Sequence, residues 1–205
     1  MLVDKTNPFG NRRMLPRGIL REPVKHLKRA SYVFITKSDG ISDPVLEDTI
    51  RQHNPEADII ECAHRPQYLQ HLDTGEKRPL SDLEGKRIGA FSAIADHFSF
   101  ERFLREFGAN VLYSRRFLDH HRFTDSELKH LFDQAGKEKL DFMVTTEKDA
   151  VRISKDFPKT IPLYYLRLEI DILSGDKDFE KAVDRICFPE NKTELPFQAN
   201  GDGNA

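Results

Sequence analysis

The chain has 205 residues, 38% of them hydrophobic and 32% charged, and its 32 basic residues nearly balance 34 acidic ones. A chain of this length buries most of its surface, which predicts one domain, or one domain with a small appendage. The charge balance gives no reason to expect nucleic acid as a partner. No apolar run approaches the roughly 18 residues that a membrane-spanning helix needs, and the N-terminus contains no signal-peptide core. Cys62 and Cys187 lack metal-ligand spacing, so we expect two reduced thiols in a cytosolic protein.

The first half of the chain alternates short apolar runs with segments of helical periodicity. Residues 2–4 look like the end of a buried strand whose beginning precedes Met1, since a strand normally has about 5–6 residues. A Pro- and Gly-rich loop follows and leads into a short helix at about 20–29. We then expect a strand at 31–36, a helix from Asp43-Pro44 with Val45, Leu46, Thr49 and Ile50 on one face, and a strand at 57–62. Residues 64–83 are polar and indicate a hairpin or an excursion.

The second half carries the clearest helices. After a strand at 87–94, Phe100, Phe103, Leu104 and Phe107 follow a helical spacing that Gly108 closes. A strand at 109–117 precedes a helix that Thr124 and Glu127 start as a capping box, and that Gly136 ends. Strands at 141–145 and 162–170 come next. Phe179, Ala182, Val183 and Ile186 mark a last helix, and the polar residues 189–205 are predicted to be a disordered tail.

This alternation predicts an α/β protein with a mostly parallel sheet covered by helices on both faces. In such folds, loops at the ends of strands are where a site is usually built. Three polar clusters occupy loops of this kind.

The first cluster is Asp119-His120-His121, between a strand and a capped helix. It is either a solvated loop in which Asp119 helps to cap the helix, or a histidine that is held by a carboxylate and acts on a proton. The second cluster, Thr145 to Asp149, is either an ordinary helix start or a site where Lys148 or the helix N-terminus holds an anion.

The third cluster combines the loop at 8–11 with Arg17, Arg21 and Glu22. Arg21 and Glu22 are either a surface ion pair or part of a site in which Glu22 holds a metal ion or a water and Arg21 binds a phosphate oxygen. The sequence has no G-x-x-x-x-G-K-[ST] phosphate-binding loop.

Four blocks occur in one order: PFGN with LPRGILREP, FSAIADHFSFERFLREFGANV, FLDHHRFTDSELKHL and VTTEKDAVRI. In these blocks the chain closely resembles the C-terminal half of the tetraacyldisaccharide 4'-kinase family, the lipid A kinases, over roughly residues 2–172. The resemblance implies a three-layer α/β/α sandwich, the C-terminal domain of a two-domain P-loop-type kinase. It implies one domain at 1–188, with residues 1–20 as the entry loop from an N-terminal domain that this sequence lacks.

The family's activity is transfer of the γ-phosphate of ATP to the 4'-hydroxyl of the lipid A disaccharide precursor at the cytoplasmic side of the bacterial inner membrane. By resemblance, His120 with Asp119 and Glu22 are catalytic, and Arg21 binds nucleotide or phosphate. Glu22 is also the expected Mg²⁺ ligand, and Asn11 is expected to line the cleft. Thr146, Glu147, Lys148 and Asp149 either line the cleft or support it structurally. The phosphate loop and the membrane contact would belong to the N-terminal domain, supplied in cis if the chain is truncated and in trans if the gene is split.

We therefore expect a kinase half that is inactive alone, arising from a truncated gene model, a split gene or a decayed gene. One alternative is a non-catalytic subunit or regulator that docks on a separate nucleotide-binding chain. Another is an unrelated small α/β phosphatase or hydrolase that uses His120 as a base.

Overall fold

The computed structural model describes residues 1–154 and 156–188. It contains eight strands and five α-helices in this part of the chain, together with short 3-10 helices at Val24–Arg29 and Leu80–Leu83. The strands are β1 (Leu2–Asp4), β2 (Tyr32–Thr36), β3 (Asp58–His71), β4 (Lys77–Pro79), β5 (Arg87–Ser92), β6 (Asn110–Arg116), β7 (Phe142–Thr146) and β8 (Leu163–Ser174). The helices are α1 (Pro44–His53), α2 (His97–Glu106), α3 (Asp125–Lys137), α4 (Glu147–Ala150) and α5 (Asp176–Cys187).

The chain divides into two compact units. The first unit comprises Met1–His64 and the chain from Ile170 onward, and the second comprises Arg65–Glu169. The strands β3 and β8 each run from one unit into the other. The predicted single domain at 1–188 stays a prediction, and the predicted disordered tail at 189–205 lies outside the described residues.

In the first unit, β1, β2 and the start of β3 pair in parallel, with Val3 beside Ile35 and Ile35 beside Glu61. Asp43 caps α1 by accepting a hydrogen bond from the Leu46 N–H at 3.0 Å, as the sequence predicts. The core is formed by apolar residues of β1, of β2, of α1, of the first 3-10 helix and of the position just before β3: Val3, Leu27, Val33, Ile35, Leu46, Ile50 and Ala57.

The second unit is an α/β/α sandwich. Its strands pair in parallel in the order β8-β7-β5-β6, while β4 returns antiparallel to the last part of β3. Side chains along β5 alternate: Ile88 and Ala90 pack in one core cluster with Leu104 of α2, and Phe91 packs in the other with Leu128 of α3. Because successive side chains of a strand point to opposite faces, α2 and α3 cover opposite faces of this sheet. The predicted α/β class with a mostly parallel sheet is confirmed.

One close contact in this sheet requires a glycine. A Cβ built on Gly89 of β5 would lie 2.3 Å from the Met143 Sδ of the neighbouring strand β7. A larger residue would therefore require the buried side chain of Met143 to take another conformation.

Several boundaries differ from the sequence prediction. The predicted helix at 20–29 is a 3-10 helix that begins only at Val24, because Pro23 and the residues before it adopt extended or turn conformations. The strand expected to end at Cys62 continues to His71 and forms a hairpin with β4, which confirms the hairpin interpretation of this segment. Gly136 lies inside α3 and does not end it.

The buried faces of two helices are narrower than the sequence predicts. Val45 is 76% exposed because Leu46 and Ile50, four residues apart, define the buried face of α1 and Val45 points away from it. In α5 only Ala182 is buried, while Ile186 is 76% exposed.

Candidate active site

His120 lies in the loop between β6 and α3, in the second unit. Its backbone has φ of +64°, a left-handed conformation that a residue with a side chain rarely adopts. The His120 N–H donates to the Ala93 carbonyl at 3.2 Å, just after β5. The loop is thereby fixed against the end of the neighbouring strand.

The imidazole of His120 is surrounded by charged groups and is 67% exposed. Its Nδ1 lies 3.1 Å from the Arg152 Nη2. Its Nε2 lies 3.5 Å from a carboxylate oxygen of Asp119, whose other oxygen lies 3.5 Å from the Lys148 Nζ. The structure therefore brings together Asp119, His120 and Lys148, three residues that the sequence analysis selected.

His121 has a different environment. Its ring stacks on Phe117 with centroids 5.0 Å apart, and its Nε2 lies 3.0 Å from both carboxylate oxygens of Glu127. Glu127 also completes the predicted capping box with Thr124, so Thr124 and not Asp119 caps α3. The hydrogen bonds from the Thr124 backbone, from His121 and from the Thr124 hydroxyl lower the pKa of Glu127 to about 2. His121 thus belongs to the helix start, and His120 alone of this pair offers an exposed ring to a reactant.

The segment from Thr145 to Asp149 is mainly a support for this loop. The buried Thr145 hydroxyl donates to the Phe91 carbonyl at 2.9 Å, and Thr146 caps α4. Asp149 is fully buried and accepts hydrogen bonds from the Ala93 N–H at 2.9 Å and the Thr146 hydroxyl at 2.7 Å. Since α4 has only four residues, an anion site at its N-terminus has no helix of useful length behind it.

Glu147 and Lys148 have side chains at the surface of the same turn. The Glu147 carboxylate pairs with Arg167 at 2.5 Å, and Lys148 is exposed beside Asp119. Their role as cleft-lining residues stays a prediction.

Arg152 belongs to this cluster but is not among the residues predicted from the sequence. This arginine follows Asp149 by three residues in the same motif, and its Nη1 lies 3.5 Å from the buried Asp149 carboxylate. The signal that could have found it is the spacing, because residues three apart on a helical turn are neighbours.

The predicted residues Asn11, Arg21 and Glu22 belong to the first unit. Asn11 holds its own loop by donating to the Arg17 carbonyl at 2.8 Å and accepting from the Arg13 N–H at 3.1 Å. Arg21 is exposed. Glu22 does not pair with Arg21 as the surface alternative supposed.

Glu22 is engaged by two cationic side chains of the following 3-10 helix. Its 51% exposed carboxylate contacts Arg29 and lies 3.1 Å from the His26 Nδ1. The hydrogen bond from His26 and the charge of Arg29 hold the pKa of Glu22 below its usual value. Among the described residues, no group of three or more His, Cys, Asp or Glu side chains could hold a metal ion. The Mg²⁺ role of Glu22 stays a prediction.

Comparisons of this chain with protein families and with curated proteins both match tetraacyldisaccharide 4'-kinases. A family model described as "Tetraacyldisaccharide-1-P 4'-kinase" (LpxK) matches residues 1–187. The chain is 34% identical over 202 residues to the tetraacyldisaccharide 4'-kinase of Halothermothrix orenii, which covers 90% of this chain. The chain belongs to the LpxK family.

Other LpxK proteins are similarly related. Those of Elusimicrobium minutum and Anaeromyxobacter sp. (strain K) are each 35% identical and cover 88% and 90% of this chain. The matches extend over 52%, 48% and 50% of these three proteins, so the chain spans about half the length of the curated relatives it matches.

A solved LpxK structure shows the same fold. The protein from Aquifex aeolicus, described as an "apo" form in complex with ATP, aligns with a TM-score of 0.56 over 90% of this chain and 51% of its own. At 22% identity this likeness establishes the fold alone. Within the residues of this chain that the structure describes, no helix has the length and apolar character needed to cross a membrane.

Proposed function

We propose that this chain is one half of a lipid A 4'-kinase. The complete enzyme transfers the γ-phosphoryl group of ATP to the 4'-hydroxyl of tetraacyldisaccharide 1-phosphate. The bond from the γ-phosphorus to the oxygen that bridges it to the β-phosphate breaks, and a bond to the 4'-oxygen forms. ADP leaves with the bridging oxygen, and the hydroxyl proton passes to the solvent. Family membership supports the reaction class. The span of about half of each relative supports the need for a second, nucleotide-binding part.

The observation that carries the proposal is the environment of His120. Its imidazole is exposed to a reactant, yet its backbone is tied to Ala93 and its ring to Arg152. Phosphoryl transfer depends mainly on positioning and charge neutralisation, and a ring held in this way can orient the acceptor hydroxyl or contact the transferring group. Lys148, beside Asp119, adds a positive charge near the same ring.

Arg21 and Glu22 keep the roles that the family resemblance implies, as proposals. Arg21 would contact phosphate and Glu22 would approach a magnesium ion carried by the nucleotide. The described residues do not form a metal site by themselves. The reaction would take place at the cytoplasmic face of the inner membrane, with membrane contact through the other half.

The test combines this chain with the half of the Halothermothrix orenii relative that it does not match. The assay follows ³²P transfer from ATP to tetraacyldisaccharide 1-phosphate. We expect no turnover by the 205-residue chain alone and turnover by the combination. In the combination, His120→Ala should lower kcat by about 10²- to 10³-fold, the usual cost of removing one positioned hydrogen-bond donor from the reacting groups, with a smaller change in KM.

His130→Ala is the matched control, because His130 is an exposed histidine on α3 and should leave kcat unchanged. Turnover by the isolated chain would contradict the need for a second half. An unchanged kcat in the His120→Ala combination would refute the role of His120 and favour the alternative of a non-catalytic subunit.

A further inference from the structure

A closed set of contacts joins His120 to the buried carboxylate of Asp149. The Asp149 Oδ2 accepts from the Ala93 N–H at 2.9 Å, and the Ala93 carbonyl accepts from the His120 N–H at 3.2 Å. On the other side, the His120 Nδ1 lies 3.1 Å from the Arg152 Nη2, and the Arg152 Nη1 lies 3.5 Å from the Asp149 Oδ1. Asp149 thus reaches the backbone of His120 through Ala93 and its ring through Arg152.

The partner of Nδ1 determines which nitrogen of the neutral ring carries the proton. A guanidinium group only donates hydrogen bonds and stays protonated in proteins. The Arg152 N–H therefore donates to Nδ1, which must offer its lone pair. The proton of the neutral imidazole is then on Nε2, the nitrogen that faces Asp119 at 3.5 Å.

Arg152 is well placed to impose this choice. Its side chain is only 23% exposed and is paired with a fully buried carboxylate, whereas the ring of His120 is 67% exposed. The guanidinium is thus the fixed partner and the imidazole is the group that is held. Asp149 is itself fixed by the Ala93 N–H and the Thr146 hydroxyl.

We propose that Arg152 and Asp149 are positioning residues that fix His120 as the Nε2–H tautomer, so that the neutral ring presents a hydrogen-bond donor to an oxygen of the reacting groups. This inference rests on the proposed function, because it specifies how His120 meets its reactant. A ring held in this way does not offer an Nε2 lone pair in its neutral form. This argues against the alternative in which His120 acts as the base of an unrelated hydrolase.

The test measures the tautomer directly in the full 205-residue chain. Histidine is labelled with ¹⁵N, and two-bond ¹H–¹⁵N correlation spectra are recorded at a pH where the ring is neutral. A His120→Gln variant identifies the His120 signals among the eight histidines. We expect a proton on Nε2 and an unprotonated Nδ1 in the unsubstituted chain.

Three variants then assign the cause. Arg152→Met removes the donor and should give a mixture of tautomers at His120, while Arg152→Lys keeps a donor and should retain the Nε2–H form. Arg122→Gln is the control, because it removes an exposed arginine two residues from His120 and should leave the spectrum unchanged. A proton on Nδ1 in the unsubstituted chain, or an unaltered tautomer in folded Arg152→Met, would overturn the inference.

The kinase assay with the second half provides the functional readout. Arg152→Met should lower kcat by at least about tenfold with little change in KM, since a wrong tautomer at a catalytic histidine is costly, and Arg152→Lys should restore most of it. An equal loss of kcat in Arg152→Lys would overturn the positioning role. An Nε2–H spectrum in a combination that shows no kinase activity would overturn the proposed function alone.

Discussion

Replacing Asp149 tests whether the buried carboxylate holds the candidate site together. In Asp149→Ala the Ala93 N–H loses its acceptor inside the protein, which costs about 1–3 kcal/mol for an unsatisfied buried donor. The charge-assisted hydrogen bond from the Thr146 hydroxyl is lost as well. Its loss should cost an amount at the lower end of about 1.5–3 kcal/mol, because Thr146 is partly exposed and its hydroxyl can turn to water. The Arg152 side chain also loses its carboxylate partner.

Together these losses predict that Asp149→Ala lowers the free energy of unfolding by about 3–5 kcal/mol, a large part of the roughly 5–15 kcal/mol of a typical protein. Asp149→Asn should lose only about 1–2 kcal/mol, because its amide oxygen can still accept from Ala93 and Thr146 while the amide nitrogen faces Arg152.

Urea unfolding followed by circular dichroism measures both changes. Asp133→Ala is the control: this aspartate pairs with Lys129 on the exposed side of α3, and its loss should change the free energy of unfolding by less than about 0.5 kcal/mol. If Asp149→Ala destabilised the protein no more than Asp133→Ala, the network around Ala93 would not be the support that its contacts indicate.

Two further predictions concern His120 and the start of α3, which follows it in the chain. The pKa of Glu127 is about 2 in the folded chain, below its ordinary value of 4.5. Its charge therefore stabilises the fold above pH 4.5, and this contribution is lost as the pH falls toward 2. The Glu127→Gln variant keeps the cap but not the charge. Its melting temperature should therefore lie below that of the unsubstituted chain at neutral pH, and the two should converge on acidification. A difference in melting temperature that does not depend on pH would refute this. Replacing His120 with glycine should leave the free energy of unfolding within about 0.5 kcal/mol or raise it. Relief of the left-handed conformation stabilises the variant by about 1–2 kcal/mol. This gain offsets two losses, the backbone entropy of glycine at about 0.5–1 kcal/mol and the exposed contact to Arg152. A loss above about 2 kcal/mol in urea unfolding would contradict this balance.

The features that could be predicted from the sequence are those that depend on neighbouring residues. The capping box of Thr124 and Glu127 and the cap of α1 by Asp43 involve side chains three residues from their backbone partners. The alternation of strands and helices was visible because each amphipathic face repeats locally. These local rules were sufficient for the α/β class and for the loop that carries His120.

The arrangement of the site required the tertiary structure. The hydrogen bond from Ala93 to Asp149 joins residues 56 apart, and the one from Arg152 to His120 joins residues 32 apart. No local pattern announces either pair, so the sequence does not identify Arg152 as a partner of His120. The cleft-lining role of Asp149 rests on the family resemblance and stays a prediction. The left-handed backbone of His120 was equally hidden, since glycine is the residue that usually signals it.

Two features at this site weaken the fold when considered alone. A left-handed residue with a side chain costs about 1–2 kcal/mol where glycine would not. A buried carboxylate and its arginine can often be replaced by apolar residues without loss of stability. Both features act on His120. The left-handed conformation sets the direction of its backbone, and Arg152, which is paired with the buried carboxylate, holds the Nδ1 of its exposed imidazole. Strain and buried charge that converge on a single exposed ring are expected where orientation of that ring matters more than stability, and this supports a reactive role for His120.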